Sequence, residues 1–96
     1  MPSCCELLRD PTVLVIDCRS TDECACGDGF KGAKNIPVGE VAKRVKECGD
    51  DKSRPIICYC KAGVRAANAA SVLKDCGYTN VISVANADAV RAAASK

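Results

Sequence analysis

The sequence predicts an α/β fold of three layers, a central parallel sheet of about four strands with helices on both faces. Three observations predict it. Residues 12–16 and 55–59 are continuous apolar runs, the mark of strands buried on both faces. Helical patterns of apolar residues lie between and after them. Strand and helix alternate along the chain, which makes the strands parallel and the crossovers right-handed.

Each element has its own signal. Ser3-Cys4-Cys5-Glu6 fits a capping box, so a short first helix runs through Leu7 and Leu8 and stops before Pro11. Thr12 to Asp17 is the first strand. Residues 18–32 are polar and rich in Gly, Asp and Cys, hence a loop, with one helical turn near Thr21-Asp22-Glu23. Ala33 to Pro37 is a short extended piece. Val38, Val41, Ala42, Val45 and Cys48 then recur at helical spacing, and Gly49 sits where a C-terminal glycine belongs, which predicts an amphipathic helix over 38–48. Asp50 to Arg54 is a charged turn, and Pro55 to Tyr59 the second central strand. A helix ending at Gly77 follows, with Val64, Ala67, Ala70, Ser71, Leu73 and Cys76 as its apolar face. Asn80 to Val84 is the last strand, and Asn86 caps a final alanine-rich helix to about Ser95.

Composition narrows the function. Ninety-six residues make one domain, residues 1–96. A chain this short buries about 60–65% of its unfolded surface, so its stability margin is modest. Only Phe30, Tyr59 and Tyr78 are aromatic, so the core is built from small and aliphatic residues. The net charge is +2 with both signs interspersed, without a basic run or interleaved aromatics to bind nucleic acid. No apolar stretch approaches membrane-spanning length, and Met1 to Glu6 carries no apolar signal core, so the expectation is a soluble, cytoplasmic protein.

Nine cysteines are the compositional oddity. An odd number, no export signal and regular secondary structure argue against a secreted disulfide scaffold. Cys24-Ala25-Cys26 and Cys58-Tyr59-Cys60 invite a zinc reading, but the spacing is Cys-x-Cys rather than the Cys-x2-Cys of structural zinc. No metal site is therefore expected. Side chains alternate along a strand, so Cys58 and Cys60 share a side. Cys58 is then either a packing residue or a resolving thiol. Cys24 and Cys26, in a polar loop, are expected to be exposed and oxidisable. Cys4 and Cys5 lie near a mobile end.

The stretch Cys60-Lys61-Ala62-Gly63-Val64-Arg65 carries the chemistry. A thiol at the end of a buried strand is followed by a short glycine-containing loop with two cations, then a helix. Backbone N–H groups of such a loop converge on one point, and the helix N-terminus adds positive potential. Both favour thiolate over thiol and hold an anion beside it. In open α/β sheets this edge, beyond the carboxyl ends of the central strands, is where ligands bind. Asp17 ends at the same edge. Asp17 and Arg19 read as a structural pair orienting the strand end.

Several pieces match one family in order. Asp17-Cys18-Arg19 with Glu23 resembles an Asp-x-Arg-x-x-x-Glu pattern. Gly32-Ala33-x-Asn35-Ile36-Pro37 with Glu40, the Cys60 to Arg65 loop with Ala69, Ala70 and Leu73, and Gly77-Tyr78-x-Asn80-Val81 follow. Together, over about residues 13–84, the chain resembles a single-domain rhodanese, a thiosulfate sulfurtransferase-like protein. The resemblance implies that Cys60 is the sulfur-carrying nucleophile and that Lys61, Ala62, Gly63, Val64 and Arg65 wrap it. It implies a ping-pong transfer of sulfane sulfur from thiosulfate or a related persulfide donor to cyanide, glutathione, a dithiol or a protein thiol. Lys61 and Arg65 would attract the anionic donor, and neither metal nor organic cofactor is required.

The chain departs from the pattern in three places. Asp28-Gly29-Phe30 stands where the family has Gly-His-Ile. The Gly-Gly and Trp usual after the last strand are replaced around Asn86-Ala87 and Val90-Arg91. The strand that usually precedes the first helix is missing, hence four strands rather than five. Two other readings compete. Phosphatases and arsenate reductases of this fold use Cys-x5-Arg, whereas Arg65 follows Cys60 after four residues, a loop better suited to one sulfur than to a tetrahedral oxyanion. A non-catalytic rhodanese-like module for partner binding or redox sensing is opposed by the intact loop.

Overall fold

The computed structural model describes residues 4–24 and 29–95. Ser3 of the expected capping box, Cys26 and Asp28 lie outside the described residues, as do the side chains of Glu23 and Cys24.

Four parallel strands form one sheet in the order β2-β1-β3-β4: β1 (Leu14–Asp17), β2 (Lys34–Asn35), β3 (Ile56–Tyr59) and β4 (Val81–Ser83). The two strongest apolar runs occupy the centre. They pair in register from Leu14 with Ile56 to Asp17 with Tyr59. The ladder runs on past both strand ends, since Cys18 N–H donates to the Tyr59 carbonyl (2.8 Å) and Val84 N–H to the Cys58 carbonyl (2.9 Å). Cys18 and Cys60 are thereby delivered to the same edge of the sheet.

Strand alternation divides the core into two layers. On one face Ile16, Cys18, Ile56, Cys58 and Cys60 pack against α3 (Val64–Asp75) and the 38–48 segment. On the other, Val15, Ile57 and Tyr59 pack with α1 (Cys4–Leu8) and α4 (Ala87–Ala94). Every residue of β3 is buried, as expected of a central parallel strand. The short α2 (Thr21–Cys24) supplies the helical turn expected in the loop after β1.

Two expectations need correction. The 38–48 segment is not one α-helix but two 3-10 turns, Val38–Glu40 and Val45–Cys48, joined by a turn. Its apolar residues pair at a spacing of three (Val38 with Val41, Val45 with Cys48), the period of a 3-10 helix. Gly39 and three β-branched valines in this stretch also lower its helix propensity. Gly49 still ends the segment at φ +88°.

The buried face of α3 is also rotated from the expected one. Ala66, Ala69, Ala70 and Leu73 are buried, whereas Val64 is 70% exposed and Ala67 is exposed. In so alanine-rich a helix the periodicity is nearly flat, and the rotational phase is set by the loop before it. The end of α3 follows the sequence, with Gly77 at φ +101°. Asn86 caps α4 as expected, its side-chain oxygen accepting from Ala89 N–H at 3.0 Å. Among the described residues no helix is long and apolar enough to cross a membrane.

Candidate active site

Cys60 follows β3 directly, and α3 begins four residues later, so the connecting loop must turn sharply back over the strand end. Gly63 makes the turn at φ +102°, in left-handed backbone that L side chains rarely adopt. A Cβ at this position would also lie 3.4 Å from the Ala85 Cα. Both conditions are met by glycine.

The turn brings backbone donors onto one atom. Cys60 Sγ accepts from Gly63 N–H at 2.9 Å and from Ala66 N–H at 3.4 Å. Burial, at 2% exposure, pushes the Cys60 thiol up. The N–H groups of Ala66, Ala62, Gly63 and Arg65 outweigh it and hold the thiol below its ordinary value. A thiolate is thus stabilised by backbone dipoles that cost no rearrangement when charge develops there.

Cys58, two residues earlier on the same face, is in the opposite state. Its hydrogen bond with Cys18 and its complete burial both push its pKa upward. Both features fit the packing alternative for Cys58.

Behind the site lies a buried polar network. Arg19 grips Asp17 with Nε at 3.0 Å from Oδ1 and Nη2 at 2.8 Å from Oδ2. The Tyr59 hydroxyl donates to Asp17 Oδ2 at 2.9 Å and accepts from Phe30 N–H at 2.8 Å. Burial pushes the Tyr59 hydroxyl up to about 12, so it stays a donor. Asn35 ties the loop down by donating to the carbonyls of Asp17 (3.1 Å) and Arg19 (2.9 Å). The sequence reading of Asp17 and Arg19 as a pair is what the structure contains. Glycine at position 29, in the segment where the family pattern has Gly-His-Ile, is packed so closely on Arg19 and Tyr59 that a Cβ would meet both at 3.0 Å.

An open cavity of about 380 Å³ leads to Cys60. Its walls are Arg19, Lys61, Asn86, Ala87, Asp88 and Arg91. Of the loop residues singled out from the sequence, Lys61 lines this cavity. Ala62, Gly63 and Arg65 contribute backbone N–H groups to the sulfur. The side chain of Arg65 is partly buried on the first turn of α3, and Val64 projects into solvent. The sequence reading missed Asp88 and Arg91 as walls and took Asn86 only as a cap. The signal available for them was topological: residues just after β4 emerge at the same sheet edge as Cys60. Among the described residues no cluster of three or more His, Cys, Asp or Glu side chains could hold a metal ion.

Comparison with known proteins identifies the family. A sequence model described as Rhodanese-like domain matches residues 4–87. Thiosulfate sulfurtransferase PspE of Escherichia coli is 39% identical over 51 residues, covering 53% of this chain and 49% of that protein. A tRNA uridine(34) hydroxylase of Hamiltonella defensa is 30% identical over 83 residues, covering 82% of this chain and 23% of the hydroxylase. The chain thus spans half or less of these curated relatives. A solved structure described as rhodanese with anions from E. coli superposes with a TM-score of 0.64 at 33% identity, covering 78% of this chain and 84% of that one.

Proposed function

Because the chain belongs to the rhodanese-like domain family, whose members include a sulfurtransferase similar to it, we propose that it is a sulfurtransferase of the thiosulfate type working through a persulfide on Cys60. The observation that carries this reading is the cradle of backbone N–H groups on Cys60 Sγ. It lowers the cost of forming the thiolate, and it suits one added sulfur atom better than a bulky tetrahedral group.

In the first half-reaction the Cys60 thiolate attacks the outer sulfur of thiosulfate. A Cys60 S–S bond forms, the bond between the two thiosulfate sulfurs breaks, and sulfite leaves with the electron pair. The anionic persulfide takes the place of the thiolate against the loop N–H groups. In the second half-reaction a thiophile such as cyanide or a thiolate attacks the outer sulfur, carrying it off and restoring the Cys60 thiolate. Lys61 stands on the cavity wall where an anionic donor enters. Arg65 raises the local potential from the first turn of α3. The chain works as a single domain, in a reducing compartment such as the cytoplasm, where its thiols stay reduced. Neither a metal nor an organic cofactor enters any step.

The test is a thiosulfate–cyanide assay of the wild type and Cys60→Ser, with an aryl phosphate as second substrate. Thiocyanate formation that disappears in Cys60→Ser supports the reading. Activity surviving the substitution, or turnover of the aryl phosphate and not of thiosulfate, overturns it.

A further inference from the structure

The cavity that leads to Cys60 has an asymmetric charge pattern. Three cationic side chains, Arg19, Lys61 and Arg91, and one carboxylate, Asp88, stand in its wall. Arg19 is locked against Asp17 in a buried pair, with side chains 8% and 5% exposed. Its charge is answered from behind, away from the cavity. Arg91 is held differently. It projects from α4, donates to the Gly29 carbonyl at 3.2 Å and pairs with Asp88 on the surface, where the two side chains are 45% and 82% exposed. A hydrated surface pair is weak and readily exchanged for a stronger acceptor, whereas the bond to the Gly29 carbonyl keeps the guanidinium at the cavity. A planar guanidinium is well suited to grip two oxygens of an oxyanion at once.

Resting on the sulfurtransferase reading, we infer that Arg91 is the donor-specificity residue, binding with Lys61 the oxyanion end of a sulfur donor whose sulfane end reaches Cys60, with Asp88 as a competing carboxylate that moderates its grip. The donor class is thiosulfate and organic thiosulfonates, compounds that carry two or three oxygens on the atom bonded to the transferred sulfur. A donor without such a group gains nothing from Arg91. The leaving sulfite or sulfinate is the fragment left on Arg91 when the sulfur–sulfur bond breaks, so the same side chain stabilises the charge that builds on the departing group.

Alkylation of Cys60 tests the subsite without using sulfur transfer. Rates with iodoacetate and with uncharged iodoacetamide are followed by peptide mapping in the wild type, Arg91→Gln, Arg91→Lys and Asp88→Asn. Arg91→Gln slows iodoacetate by about tenfold and leaves iodoacetamide unchanged. Arg91→Lys recovers most of the loss, Asp88→Asn speeds iodoacetate, and added salt shrinks every difference. Because the ratio of the two reagents cancels any change in thiolate fraction or folding, equal slowing of both, or no slowing of either, overturns the proposal. Persulfide loading then addresses the donor class. Arg91→Gln raises the thiosulfate concentration needed for half-maximal loading about tenfold and leaves loading from zwitterionic cysteamine persulfide unchanged. An equal effect on both donors overturns the assignment. If the wild type loads sulfur from neither donor, the sulfurtransferase reading fails, while the alkylation ratio still decides whether Arg91 attracts anions to Cys60.

Discussion

The Tyr59 hydroxyl donates to Asp17 Oδ2 at 2.9 Å, joining the carboxyl ends of the two central strands beside the Cys60 loop. The same hydroxyl accepts from Phe30 N–H, so one atom fastens β3 to β1 and to the loop between β1 and β2. Tyr59 is fully buried, and the Asp17 carboxylate that accepts from it is buried too. Tyr59→Phe therefore costs about 1–3 kcal/mol, the penalty for leaving buried groups unsatisfied. Urea denaturation measures the loss. Persulfide loading on Cys60 at saturating thiosulfate is unchanged, because the N–H cradle does not include Tyr59.

Asp17 and Arg19 form a buried charged pair. Arg19→Met strands a carboxylate and costs about 3–5 kcal/mol. The double variant Asp17→Asn with Arg19→Met recovers part of that loss. A thermodynamic cycle over the four proteins yields the coupling, which an exposed ion pair would not show.

Gly63 holds φ +102° against Ala85. Gly63→Ala forces the loop to shift, and the donor to Cys60 Sγ moves with it. The Cys60 pKa rises, and the rate of persulfide formation falls about tenfold or more, as on removal of one donor to a developing anion. Alkylation rate against pH reports the first effect, and loading kinetics the second.

The sign of the pH dependence follows from the cradle. Cys60 is held below an ordinary thiol in the folded chain, so the thiolate is the form the fold prefers. That preference stabilises the protein above the thiol's unfolded pKa and is lost as pH falls through the folded one. Iodoacetamide trapping of Cys60 in the native protein therefore has its midpoint at lower pH than in urea-unfolded protein. Cys58, with its pKa raised by Cys18 and burial, is not alkylated until the chain unfolds.

Cys58 distinguishes packing from sulfur relay. Cys58→Ala leaves thiocyanate formation intact and lowers stability, because the side chain fills the core between Ile16 and α3. Loss of turnover at full stability would show instead that Cys58 takes part in sulfur transfer.

The parts of this fold that were legible in the sequence are those with one strong local cause. The buried strands 14–17 and 56–59 were readable from continuous apolar runs. The cap at Asn86 and the turn at Gly63 were readable from residue types that suit those backbones. The 38–48 segment was misread because valines and a cysteine at spacings of three and four fit a helix and a pair of 3-10 turns alike. The face of α3 was misread because alanine carries little periodic information, and the phase depends on the path of the loop that brings Ala66 N–H onto Cys60 Sγ. Arg91 went unread as a wall of the site for a similar reason. Nothing local distinguishes it from a solvated helix cation, and only the sheet order brings α4 beside the loop after β3.

The central claim is that Cys60 is a thiolate which accepts one sulfane sulfur. Intact-mass measurement of the reduced protein after brief exposure to thiosulfate, with the label located by peptide mapping, tests it most directly. The account predicts the gain of a single sulfur atom on Cys60, absent in Cys60→Ser and discharged by cyanide. An unchanged mass, or sulfur carried on any other cysteine, would contradict it.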